Sequence, residues 1–159
     1  MVRLAGVSHG TFYLYFANKE DLFRALAEQC ADEADALAAS LGEVPADAVG
    51  LAALRAWIAE FLDFYGRNGV VIRAWAENQV SDRKLARLGT RSFGRIAGTL
   101  RAGMAGPDDS HDVELRAAAL LAMLERFAYV VTSRQLGLDR EAVIDNLALV
   151  AHRGFFRPS

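Results

Sequence analysis

Apolar residues recur three and four positions apart along most of this chain of 159 residues, the spacing that places them on one side of an α-helix. The sequence contains few strand signals. It is rich in alanine and leucine, and only three prolines interrupt it. With 53% hydrophobic residues, a chain of this length can bury one sizeable core. We therefore predict an all-α globular protein.

Capping and turn residues divide the chain into helices. Asn18 and Asp139 are good N-caps, and Gly66 with the Asn68-Gly69 pair is typical of a helix end. These signals predict helices over residues 19–41, 47–65, 70–80, 82–105, 112–136 and 139–156.

The stretch LAGVSHGTFYLYFANKEDLF, residues 4–23, has residue types and spacing that indicate a particular task. Gly6 supplies a sharp turn, and Ser8 can cap a short helix over residues 9–16. Phe12 and Phe16 lie four apart and face inward, whereas the histidine, threonine and tyrosines between them offer polar groups to another surface. This order predicts the second half of a DNA-binding helix-turn-helix.

The pattern G-V-S-x-G-T-F-Y-x-Y-F-x-N-K-E-x-L resembles the recognition-helix region of the TetR family of one-component transcriptional regulators. The resemblance implies a partial helix-turn-helix head over residues 1–23, followed by a ligand-binding and dimerisation domain over residues 24–159. It also implies that double-stranded DNA is a partner. Carried over by position, the DNA contacts are Ser8, His9, Gly10, Thr11, Tyr13, Tyr15 and Lys19, with His9 and Thr11 reaching base edges.

A complete head of this family has a first helix and most of a second before the turn, whereas five residues precede Gly6 here. We expect a frayed or displaced N-terminus in this form. Two functions follow from the sequence. The first is a DNA-binding repressor released by a small apolar or aromatic effector. The alternative is a dimeric, ligand-binding regulator remnant that does not bind DNA on its own.

Aromatic residues are abundant in the body of the chain and could wall a pocket for a small effector. Ordinary core packing explains each of them individually. Asn78, Gln79 and the Tyr65 hydroxyl are candidate polar groups in such a pocket. The predicted pocket residues are Trp57, Phe61, Phe64, Tyr65, Trp75, Asn78, Gln79, Phe93, Met123 and Phe127.

The last two predicted helices are apolar on more than one face, so each needs two partners. The core supplies one, and a second subunit is the natural other. The resemblance likewise implies a homodimer built on these helices as a four-helix bundle. The predicted interface residues are Leu120, Leu124, Val131, Val143, Leu147 and Val150.

A formal net charge of -2 gives no global attraction to nucleic acid, so DNA affinity must come from a local patch. The single cysteine, Cys30, suits a reducing compartment, and the apolar run over residues 117–124 is too short to cross a bilayer. We therefore predict a cytoplasmic protein without membrane contact. His9, His111 and His152 are scattered and no catalytic motif occurs, so we predict no enzyme activity, cofactor or metal.

Overall fold

Five α-helices make up nearly all of the described chain. A computed structural model describes residues 18–104, 111–134 and 137–156, and over these ranges it contains no strand. The helices are α1 (Lys19–Ser40), α2 (Ala48–Ala76), α3 (Arg83–Met104), α4 (His111–Arg134) and α5 (Arg140–Phe155). The predicted all-α class is confirmed. The predicted helix ends at residues 105 and 136 lie outside the described residues.

Side-chain caps begin four of these helices. A side-chain oxygen of Asn18, Asp47, Asp82 and Asp139 accepts a hydrogen bond from a backbone N–H two or three residues further on, at 2.7 to 2.9 Å. The first N–H groups of a helix have no partner within the helix, so each cap satisfies a donor that would otherwise be unpaired. The predicted starts of α1, α3 and α5 are confirmed.

The predicted break at residues 66–69 is wrong, because α2 continues through it for 29 residues. No separate helix covers residues 70–80. Glycine inside a helix costs up to ~1 kcal/mol relative to alanine. Beyond the glycines, however, Val71 and Ile72 are buried, and each such side chain contributes about 1.5–3 kcal/mol. The amide of Asn68 also donates to the carbonyl of Phe64 at 3.2 Å, so this side chain stabilises the helix where the prediction ended it.

Helix α2 is central and packs against the other four helices. Its buried side carries Leu54, Ile58, Tyr65 and Ile72, all nearly inaccessible to solvent. Two ion pairs show that helices α1 and α3 run in the same direction. Arg24 in the first turns of α1 pairs with Asp82 at the start of α3, and further along both helices Asp35 pairs with Arg95. Within the described part of the chain, no helix is long and apolar enough to cross a membrane.

Candidate DNA-binding segment and ligand-binding groove

Lys19 is the one predicted DNA contact that the structure describes. Ser8, His9, Gly10, Thr11, Tyr13 and Tyr15 lie outside the described residues. Lys19 is exposed and opens α1, where Asn18 accepts a hydrogen bond from the backbone N–H of Asp21. The ammonium group therefore stands at a fixed helix start, where the partial positive charge of the helix dipole also favours an anion such as phosphate.

Helix α1 is tied to the body of the protein by ion pairs. Arg95 binds Asp35 at 2.5 Å, and Arg67 binds Glu33 at 3.1 Å. Burial disfavours the Glu33 carboxylate, but hydrogen bonds from Gln29, Asn68 and Arg67 outweigh it and hold the pKa of Glu33 below its ordinary value. A shift of α2 or α3 would therefore move α1, and Lys19 with it.

Four aromatic residues predicted to line a pocket belong to the core instead. Trp57, Phe61, Phe64 and Tyr65 are each no more than 5% exposed. The indole of Trp57 donates to the carbonyl of Leu37 at 2.9 Å, and its ring centroid lies 5.6 Å from that of Phe61. These rings fill the space between helices, although Phe64 and Tyr65 also form part of the walls of surface grooves.

The phenol of Tyr65 donates a hydrogen bond to Glu125 at 3.1 Å. Burial, followed by the neighbouring Glu125 charge, raises the pKa of Tyr65 above its ordinary value, which keeps the hydroxyl protonated. The phenol thereby holds one carboxylate of α4 against α2.

The other predicted pocket residues do not gather around one cavity. Trp75 and Phe93 meet edge to face, with ring centroids 6.4 Å apart. Asn78 and Gln79 are exposed beyond the end of α2, and the amide of Gln79 donates to Glu77 at 2.6 Å. Met123 is half-buried, whereas Phe127 is 36% exposed. The predicted pocket is therefore corrected: helical spacing identified large residues but not the direction in which each points.

In place of the predicted pocket, open grooves lie on the described surface, three of them with volumes of about 390 to 610 Å³. One of about 400 Å³ lies between α1 and α2 beside Glu33, Glu60 and Asp63. A second of about 610 Å³ lies between α2 and α4, and a third of about 390 Å³ adjoins it near the start of α5. The second and third grooves share Gly66, Arg67 and Thr132, so they are continuous.

Two arginines contact one tyrosine, and of these three residues Tyr129 and Arg73 line the second groove. The guanidinium carbons of Arg73 and Arg126 lie 5.7 and 5.3 Å from the ring centroid of Tyr129. Among the described residues, neither arginine has a carboxylate within ion-pair distance, whereas Arg67 is paired with Glu33. Sequence reasoning missed this cluster. The spacing of Arg126 and Tyr129, three residues apart on α4, could have predicted their contact. No sequence pattern predicts that Arg73 of α2 lies beside them.

Cys30 is completely buried, and burial raises the pKa of its thiol to about 12. The thiol is therefore protonated at neutral pH and poorly reactive. Among the residues that the structure describes, no three His, Cys, Asp or Glu side chains are arranged to hold a metal ion.

Most of the predicted interface residues face the core of their own subunit. Leu120 and Leu124 are fully buried, and Val143 and Leu147 are 7% and 6% exposed. These four residues are therefore corrected to core positions, because they have almost no surface left for a partner. Val131 is half-buried, and Val150 is 56% exposed.

The outward face of α4 nevertheless carries apolar side chains, whereas α5 exposes Ala142 and Val150 among the charged residues Arg140, Glu141, Asp145 and Arg153. Large exposed apolar side chains include Leu115, Phe127 and Val150. Small residues lie exposed between them, namely Ala118, Ala119, Ala122 and Ala142.

Comparison with known proteins adds independent information on residues at the N-terminal end. Residues 2–26 match the family described as bacterial regulatory proteins, tetR family. The chain is also 32% identical over 84 residues to HTH-type transcriptional regulator EthR from two Mycobacterium tuberculosis strains, CDC 1551 / Oshkosh and ATCC 25618 / H37Rv. The same identity holds for EthR of Mycobacterium bovis strain ATCC BAA-935 / AF2122/97.

The aligned region covers 53% of this chain but only 39% of each of these relatives. No solved structure gives a significant match. The family match falls on the same residues as the G-V-S-x-G-T-F-Y pattern, and the all-α fold agrees with it. Residues 2–26 therefore carry the sequence signature of the tetR family of bacterial regulatory proteins.

Proposed function

We propose that this chain is a DNA-binding transcriptional regulator, acting as a homodimeric repressor that a small-molecule effector releases from DNA. The observation that carries the proposal is the match of residues 2–26 to the TetR family, over the segment whose side chains suit DNA. In this proposal the short helix over residues 9–16 enters the major groove. His9 and Thr11 contact base edges, while the hydroxyl groups and Lys19 hold phosphates.

The proposed dimer uses the exposed apolar side chains of α4 together with Val150 of α5. Leu115 is 71% and Val150 56% exposed, and the alanines beside them allow close approach of a second helix pair. Large exposed apolar side chains are the surface that a second subunit would cover. A two-fold dimer would present two recognition helices to a near-palindromic DNA site.

The proposed control acts through α1. This helix begins at Lys19 and is bound to α2 at Glu33 and to α3 at Asp35. A ligand that binds one arrangement of these helices more tightly than another would shift the position of the DNA-contacting end, by no more than its difference in affinity. Regulation of this kind requires no catalysis, and it takes place in the cytoplasm, where the DNA is.

The test begins with selection of bound fragments from genomic DNA of the source organism. Fluorescence anisotropy then compares the enriched duplex with a shuffled duplex at two salt concentrations. We expect preference for the enriched duplex by a factor on the order of a thousand or more, and weaker binding at higher salt. Lys19→Ala should weaken binding to both duplexes and reduce the slope of log K against log[salt] by about one.

Lys84→Ala is the matched control, because Lys84 is an exposed lysine in the first turn of another helix. It should leave binding unchanged. Tyr13→Ala should lower affinity for the enriched duplex. If no fragment is enriched over unrelated DNA at either salt concentration, the proposed function is wrong for this chain.

A further inference from the structure

We propose that the groove between α2 and α4 binds a small organic anion. Its charged head group would lie against Arg73 beside the Tyr129 ring, which Arg126 also contacts, and its apolar body along the adjoining third groove. As an effector site, the groove depends on the proposed function. As a binding site it does not, because its occupancy is measured without DNA.

The charge of the second groove calls for an anion. Arg73 and Arg126 flank Tyr129 without an ion pair in the described part of the chain, and Arg73 is half-buried. The nearby carboxylate, Glu125, accepts a hydrogen bond from Tyr65.

Two arginines, Arg67 and Arg73, line the groove. Arg67 is already paired with Glu33, which leaves Arg73 as the lining cation for an anion. Guanidinium groups prefer planar, bidentate partners such as carboxylates and phosphates.

Hydrogen-bond donors other than the arginines also line this groove. Ser133 is exposed there, one residue beyond Thr132, whose hydroxyl donates back to the carbonyl of Ala128 at 2.7 Å. The Ser133 hydroxyl has no such bond among the described residues. It can therefore donate to an oxygen of the same head group.

Gly66 keeps the junction of the two grooves open. A Cβ atom at this position would meet nothing within 4 Å, so a side chain there would project into the space that the grooves share. Glycine inside a helix is less stable than alanine, yet it stands here at an exposed position of the longest described helix. Gly94 and Gly98 of α3 are exposed helical glycines too, so what distinguishes Gly66 is its place in the lining of both grooves.

The third groove suits an apolar body. Leu62, Val131, Leu138 and Val143 line it, and Leu138 is 53% exposed. Its charged lining residues are already paired, Asp63 with Arg140 at 2.7 Å and Arg67 with Glu33 at 3.1 Å. The two grooves have volumes of about 610 and 390 Å³, which fall in the range of small-molecule sites. A ligand with a charged head and a short apolar tail therefore matches both the charge at one end and the apolar surface at the other.

The test uses the whole chain and three probes of one tail length: hexanoate, hexyl phosphate and the neutral hexanamide. Calorimetry gives the affinities, and nitrogen-15 NMR follows the side chains of Arg73 and Arg126. We expect saturable binding of at least one anion, at least tenfold tighter than hexanamide, with shifts at both arginines. The tighter anion identifies a carboxylate or a phosphate head group. Equal affinity for hexanamide, or no saturable binding of either anion, overturns the proposal.

Two pairs of variants locate the site. Gly66→Leu should abolish binding of the anion while the protein remains at least as stable to heat as the wild type. Gly94→Leu, at an exposed α3 glycine with open space around it, should bind normally. Arg73→Gln should weaken binding at least tenfold, whereas Arg87→Gln, which removes an exposed arginine of α3, should not.

Two results would overturn this assignment. The first is a folded Gly66→Leu variant that binds hexanoate and hexyl phosphate as the wild type does. The second is a Gly66→Leu variant whose sedimentation changes while its anion affinity does not, because the groove would then belong to an interface between copies of this chain. Neither measurement contains DNA, so failure of the DNA-binding experiment leaves this test intact.

Discussion

The indole ring of Trp75 lies so close to Gly89 that a Cβ atom on the glycine would come within 2.5 Å of the ring carbons. This contact joins the C-terminal end of α2 to the first half of α3. It involves Cγ, Cδ1 and Cδ2 of the indole, and moving them requires the whole ring to rotate away from its edge-to-face contact with Phe93.

Gly89→Ala should therefore destabilise the protein by about 1–3 kcal/mol, the usual cost of overpacking. At an unobstructed position inside a helix, the same substitution stabilises by up to ~1 kcal/mol. Urea unfolding of Gly89→Ala beside Gly94→Ala, which has open space around it, measures both effects. If the two variants are stabilised alike, Trp75 does not rest on Gly89.

The carboxylate of Glu33 should make stability depend on pH. It accepts hydrogen bonds from Asn68 at 2.9 Å and from two nitrogen atoms of Arg67 at 3.1 and 3.2 Å, and its pKa is lowered. Since the folded pKa lies below the unfolded value of about 4.3, the stabilisation is complete above that value. It is lost as the pH falls through the folded pKa.

Glu33→Gln measures this contribution. Because Arg67 is largely exposed, we expect the variant to be less stable at neutral pH by about 1 kcal/mol or less. The difference in urea midpoint between wild type and variant should shrink below about pH 4. A difference that stays constant down to the acid limit would show that Glu33 is not held ionised by the fold.

Leu124→Ala should destabilise the subunit and leave its association unchanged. The side chain is completely buried, and removing such a group costs about 2–5 kcal/mol. Urea unfolding gives the loss, and analytical ultracentrifugation of the folded variant gives the oligomeric state. If the variant dissociated into monomers without losing subunit stability, Leu124 would lie in an interface between subunits.

Val150→Glu, combined with Leu115→Glu, should separate the proposed dimer. Both side chains are exposed in the single subunit, so charges there are tolerated by the monomer but not between two apolar faces. Sedimentation velocity should show a monomer with an unchanged helical circular dichroism spectrum. Val49→Glu is the control, because Val49 is 70% exposed in the first turn of α2, away from the proposed interface.

Some features of this protein follow from the sequence alone. The caps at Asn18 and Asp139 were predicted because an N-cap bonds to a backbone group only two or three residues away. The resemblance to the TetR family also depends on local sequence, because the order of residue types over 6–22 is what matches the family. The all-α class follows from a periodicity that repeats within single helices.

Other features were decided by tertiary structure. Gly66 and Asn68 predicted a helix end, but burial of Val71 and Ile72 carries α2 past them. The extent of most helices was predictable from the sequence. The rotation of each helix about its own axis depends on packing against residues far away in the chain. That rotation places Leu124 in the core, leaves Val150 exposed and brings Arg73 of α2 to Tyr129 of α4. Local hydrogen bonding determines where a helix begins, but packing between helices determines which side chains meet.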